Sequence, residues 1–126
     1  MTIEECYREM EGSYAEVSGR LPSLKLVEKF IARFLEDQSF ETLRQAMKAK
    51  NREEAFQAAH TLKGVCANLS FSRLLTSVSQ LTEELRPETE GIPKAAEVLM
   101  NQVSDDYAIT VSSIRKYLEL KEEAII

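Results

Sequence analysis

The chain has 126 residues with only four glycines and three prolines, which is enough for one domain with its own core and long unbroken elements. Hydrophobic residues make up 44% and charged residues 29%, as in ordinary soluble proteins. The formal charge is −5, from 21 acidic and 16 basic residues, so nucleic acid and anionic lipid are excluded as main partners.

Two cysteines, Cys6 and Cys66, lie far apart on apolar stripes and read as reduced core thiols. They are too few for a disulfide framework or a Cys-rich metal site. No apolar run reaches the roughly 18 residues of a membrane span, and no basic-then-apolar leader opens the chain. A cytoplasmic location is expected.

Helical spacing then runs nearly from end to end. Thr2 with Glu5 forms a capping box, followed by the stripe Ile3, Cys6, Met10 and Val17. Gly19 to Pro22 is the first predicted break, with Pro22 placed to start the next helix. Leu24, Val27, Ile31, Phe34 and Leu35 mark that helix. Asp37 to Ser39 interrupts it, and Phe40, Leu43 and Met47 carry the pattern on. Asn51 with Glu54 forms a second capping box and opens a helix with the core stripe Ala55, Ala59, Leu62, Cys66 and Leu69. A tight turn is predicted around Ser70 to Ser72, with a serine capping a helix that uses Phe71, Leu74, Val78, Leu81 and Leu85. Pro87 to Pro93 reads as the clearest loop. A last long helix turns Leu99, Val103, Tyr107, Val111, Ile114 and Leu118 to one side. No stretch alternates with period two. Short connections between long helices favour antiparallel neighbours, so the expected fold is all-α, one domain over 1–126: an antiparallel up-and-down four-helix bundle with an additional N-terminal helix.

His60 is the only histidine. On a helical wheel it lies roughly 160° from the middle of its helix's apolar sector, beside Phe56, Lys63, Gly64 and Ala67. An exposed histidine is ordinarily a solvated side chain and nothing more. Its neighbours carry further information. Gly64 inside a helix costs about 1 kcal/mol relative to alanine, which suits a place that another molecule must approach closely. Lys63, three residues on, can meet an anion placed on the imidazole. A neutral imidazole near pH 7 is a competent nitrogen nucleophile.

The string Ala59-His60-Thr61-Leu62-Lys63-Gly64 resembles the signature of the histidine-containing phosphotransfer (HPt) family, and residues 24–86 can be laid on the family pattern. That resemblance implies a helical bundle that carries a phosphoryl group on His60 and has no kinase activity of its own. It implies response-regulator receiver domains and a sensor or hybrid histidine kinase as partners, and a monomeric carrier. No cofactor of its own is expected, Mg²⁺ being held by the receiver. Carried over, Lys63 is the cation near the phosphoryl group, and Gly64, with Phe56 and Ala67, forms the docking surface. The family also places a polar side chain near the imidazole, for which Asp37 and Gln38 are both candidates. One departure is Leu69-Ser70 where the family commonly has glycine, which makes a left-handed turn less comfortable there. The basic run Arg44, Lys48, Lys50 and Arg52 reads as a solvated helix end or as a contact for an acidic receiver. The long final helix and the start at Met1 are features expected of a free-standing protein. The alternative function is a helical adaptor that binds a signalling partner without phosphotransfer.

Overall fold

The computed structural model describes residues 1–86 and 91–125, so Pro87 to Glu90 of the predicted loop lie outside it. Seven helices and no strand occur among the described residues: α1 (Ile3–Glu9), α2 (Tyr14–Arg20), α3 (Leu24–Phe34), α4 (Ser39–Lys48), α5 (Arg52–Leu69), α6 (Ser72–Glu84) and α7 (Lys94–Ile125). The predicted all-α fold is observed.

Helices α4, α5, α6 and α7 each pack on the next, and the short links at 49–51 and 70–71 reverse the chain between them. The first helix of the bundle is broken. It runs as α3, stops at Leu35 and resumes as α4 after Asp37 Oδ1 has accepted a hydrogen bond from Ser39 N at 2.9 Å. Asn51 caps α5 by accepting from Glu54 N at 3.1 Å. Every residue of the predicted α5 stripe is buried, and Ala58 joins it.

Three expectations need correction. The additional N-terminal helix is two helices, because the chain also turns at Glu11, which is left-handed with φ 54°, ahead of the predicted break, which falls between Arg20 and Leu24 with Gly19 still inside α2. The third helix starts at Leu24 under a cap from Ser23, whose hydroxyl accepts from Leu26 N at 3.2 Å, so Pro22 precedes the helix. At the α5–α6 turn no serine caps α6. Phe71 occupies the cap position with its ring fully buried, and Ser72 is already helical.

The core lies between the bundle helices and is closed by α1. A run of aromatic rings crosses it: Phe71 meets Tyr7 at 5.9 Å and Phe34 at 5.0 Å, and Tyr107 meets Phe34 at 5.8 Å and Phe40 at 3.9 Å. These pairings join α1, α3, α4 and α7 around the residue that follows Ser70. The buried sector of α7 is shifted from its apolar stripe. Val103 and Ile114 are buried, while Leu99, Tyr107, Val111 and Leu118 are only partly so. Thr110 and Ser113 are buried instead, because α1 closes on this small polar side, with Cys6 Sγ 3.5 Å from Ser113 O. Near the far end of α7, Tyr117 Oη donates to Glu28 Oε2 at 2.7 Å and Lys121 pairs with Glu28 Oε1 at 2.8 Å, which ties α7 to α3. Burial raises the Glu28 carboxyl, but the hydrogen bonds from Lys121 and Tyr117 outweigh it and leave the group below its ordinary range.

Candidate functional site

The apolar sector of α5 faces its neighbours so completely that the opposite side, bearing His60, must face water. His60 is exposed, as are Gly64 and Ala67, while Phe56 and Lys63 are half-buried beside it. All five predicted site residues therefore share one surface. A Cβ built on Gly64 meets nothing within 4 Å, so open space lies over the helix one turn beyond the histidine.

The imidazole makes no hydrogen bond among the described residues. Its one close ring partner is Phe56, with centroids 6.2 Å apart and planes at 21°. Asp37 and Gln38, the two candidates for an imidazole support, are committed elsewhere. Asp37 accepts from Ser39 N, and Gln38 Nε2 donates to Glu36 O at 3.2 Å. Both serve the α3–α4 turn. The hydroxyl beside the histidine is also engaged: Thr61 Oγ1 donates to Gln57 O at 3.0 Å. The ring thus stands exposed with Phe56 as its ring contact.

Cations gather on the α6 side. The Arg86 guanidinium lies 5.8 Å from the Phe56 ring centre and pairs with Glu83 at 2.9 Å. That pairing holds the Glu83 carboxyl below its usual range, and the Lys63 charge adds to the effect. Neither the polar concavity of about 730 Å³ between α4 and α5 nor the apolar one of about 370 Å³ beside Phe30, Phe34 and Val65 includes His60. The other nucleophiles, Cys6 and Cys66, are buried, and burial pushes the Cys6 thiol up to about 12 and Cys66 higher still, so neither is reactive.

Two members of the basic run have structural partners. Arg44 pairs with Glu41 at 2.6 Å, and Arg52 donates to Glu84 O at 3.2 Å, Leu85 O at 3.3 Å and Arg86 O at 2.7 Å, closing the end of α6. Arg86 and Arg20 are the residues that sequence reasoning missed. Each acts on α5 across a long sequence separation and carries no local signal.

Among the described residues no helix is long and apolar enough to cross a membrane, and no group of three or more His, Cys, Asp or Glu side chains is placed to hold a metal ion. A search of curated proteins finds no match. The family model described as Hpt domain matches residues 25–119, which takes in α4, α5, α6 and the histidine surface. With most of its length matched, the chain belongs to the Hpt domain family, helical carriers that move phosphoryl groups on histidine in two-component phosphorelays.

Proposed function

We propose that His60 is the phosphorylation site of this carrier, that it takes a phosphoryl group from the aspartate of one receiver domain, and that it passes the group to another. The observation that carries this reading is an exposed, unbonded imidazole on a family-matched helix with open space over Gly64. Nε2 of the neutral ring attacks phosphorus, the bond from phosphorus to the aspartyl oxygen breaks, and the carboxylate leaves with that electron pair. Return of the group to a second aspartate reverses these bond changes.

No second catalytic group hydrogen-bonds the imidazole among the described residues, so the partner supplies the rest of the active site. The receiver's acidic pocket holds Mg²⁺, and this chain needs no cofactor. Lys63 offsets the charge gained by the imidazole. Gly64, Phe56 and Ala67 form the surface on which the receiver closes. A sensor or hybrid histidine kinase stands upstream, and the whole chain, 1–126, acts as one monomeric cytoplasmic domain without kinase activity.

The test is phosphoryl transfer from a panel of phosphorylated receiver domains to the purified protein, beside His60→Gln. Label on the wild type alone supports the reading. Binding of a receiver without label on either protein would make the chain an adaptor.

A further inference from the structure

The family match begins at residue 25, so α1, α2 and the turn between them precede it. This segment holds the C-terminal turn of α5 from three directions. Tyr7 Oη donates to Leu69 O at 2.9 Å, and Ser13 N donates to Ser70 O at 2.9 Å. Arg20 reaches over the end of the helix, with Nη2 donating to Ala67 O at 2.9 Å and to the Ser70 hydroxyl, and Nε donating to Asn68 O at 3.2 Å.

The fit is close. A Cβ on Gly12 would stand 2.7 Å from Ser70 O and 2.9 Å from the Tyr7 ring, so only glycine lets the backbone pass. Glu11, itself left-handed, returns the contact: its carbonyl accepts from Arg73 N at 3.2 Å and its carboxylate pairs with the Arg73 guanidinium. Two left-handed turns therefore interlock, one at Glu11 and one at Ser70.

Two physical needs meet at Ser70. Its φ of 57° is unfavourable for any residue with a Cβ, and the end of α5 leaves carbonyls short of partners: from the backbone Ala67 O accepts only a long bond from Ser70 N at 3.3 Å, and Asn68 O accepts from Arg20. Arg20 answers both, and its positive charge also suits the negative end of the helix. The carbonyl it binds belongs to Ala67, and Gly64 lies one turn earlier on the same exposed face.

We infer that residues 1–22 clamp the docking end of the histidine helix, and that Arg20 is a positioning residue for receiver binding. The inference rests on the reading of the His60 face as the receiver's docking surface. Without Arg20 the last turn of α5 loosens and presents Gly64 and Ala67 in the binding geometry less often. The chemistry at His60 itself is untouched. KM for the receiver should rise while kcat holds.

The test uses the full chain with Arg20→Ala, Arg20→Lys, the double variant Arg20→Ala with Ser70→Gly, and Tyr117→Phe, which weakens the bundle at the α3–α7 tie instead. Amide hydrogen exchange over residues 68–71 and transfer kinetics are measured where circular dichroism shows every variant folded. For Arg20→Ala, exchange in that turn should quicken about tenfold and KM rise about fivefold at unchanged kcat. Arg20→Lys should restore part of both. Adding Ser70→Gly should slow exchange again, because glycine takes the left-handed conformation freely. Tyr117→Phe should lower the melting temperature without moving KM. The inference is overturned if Arg20→Ala leaves exchange at 68–71 unchanged, or shifts KM no more than Tyr117→Phe does. If the wild type accepts no phosphate from any receiver, the functional half falls with the reading of His60, and exchange alone decides whether the clamp exists.

Discussion

Around His60, α5 offers solvent a ring without hydrogen bonds and a glycine under open space, while at Leu69 and Ser70 the same helix is tied down by Tyr7, Ser13 and Arg20. The difference shows where a carrier of this kind can afford commitments. Any strong hydrogen bond to the reactive nitrogen would have to break before transfer, so the orienting contact on the imidazole is stacking with Phe56. Fixing the helix is left to backbone carbonyls of its last turn, away from the imidazole itself. The two glycines follow the same division. Gly64 has nothing near its missing Cβ, whereas Gly12 has the Ser70 carbonyl against it.

That comparison can be broken most sharply at the glycines. Gly64→Trp should leave the melting temperature near that of the wild type, because nothing lies within 4 Å and tryptophan is the better helix former. Receiver-dependent transfer should nevertheless fall by about a hundredfold, as the side chain would occupy the space the receiver needs. Normal transfer by this variant would remove the clearance argument. Gly12→Ala inverts the pattern, with a destabilisation of about 2 kcal/mol from overpacking against Ser70 O and Tyr7, read by urea unfolding. An unchanged midpoint would mean that the two turns are not in contact.

Smaller effects sharpen the same contrast. Tyr7→Phe leaves the Leu69 carbonyl without its donor and should cost about 1–2 kcal/mol by the same unfolding measurement. Burial pushes the Tyr7 hydroxyl well above its ordinary range, so this bond persists through mildly alkaline pH. Lys63→Ala should slow transfer or shorten the lifetime of the phosphorylated protein about fivefold, equivalent to about 1 kcal/mol of lost charge stabilisation, with no change in fold. The Glu28 tie gives a pH dependence. Its carboxyl lies below its ordinary range, so its contribution is fully present above that range and is lost as pH falls through the lowered folded value. Melts of wild type and Glu28→Gln should differ most at pH 7 and draw together as pH falls below the ordinary carboxylate range. A gap that persists in acid would contradict the sign.

Much of the site could be read in the sequence because it lies within one helix. Periodicity put Ala55, Ala59, Leu62, Cys66 and Leu69 inside, and this forced His60, Gly64 and Ala67 outside. The same method missed one N-terminal turn. The break predicted at Gly19 to Pro22 is present between Arg20 and Leu24, but an earlier turn went unseen: its left-handed residue is Glu11, and Gly12 is needed for a close approach to Ser70, not for its own backbone angle. The polar half of the buried α7 sector also escaped, since Thr110 and Ser113 look solvent-facing until α1 is seen to cover them. Contacts such as Arg20 to Ala67 O join residues 47 apart and leave no trace in local spacing.

The most direct measurement is the position and chemistry of the label after transfer from a phosphorylated receiver. Trypsin should release residues 53–63 as one peptide, since Arg52 and Lys63 bound it and no other Lys or Arg lies between them. The account predicts label in that peptide, stable in alkali and lost in acid, and its absence from His60→Gln. Acid-stable label there, as on Thr61, or label in any other peptide would contradict His60 as the carrier of the phosphoryl group.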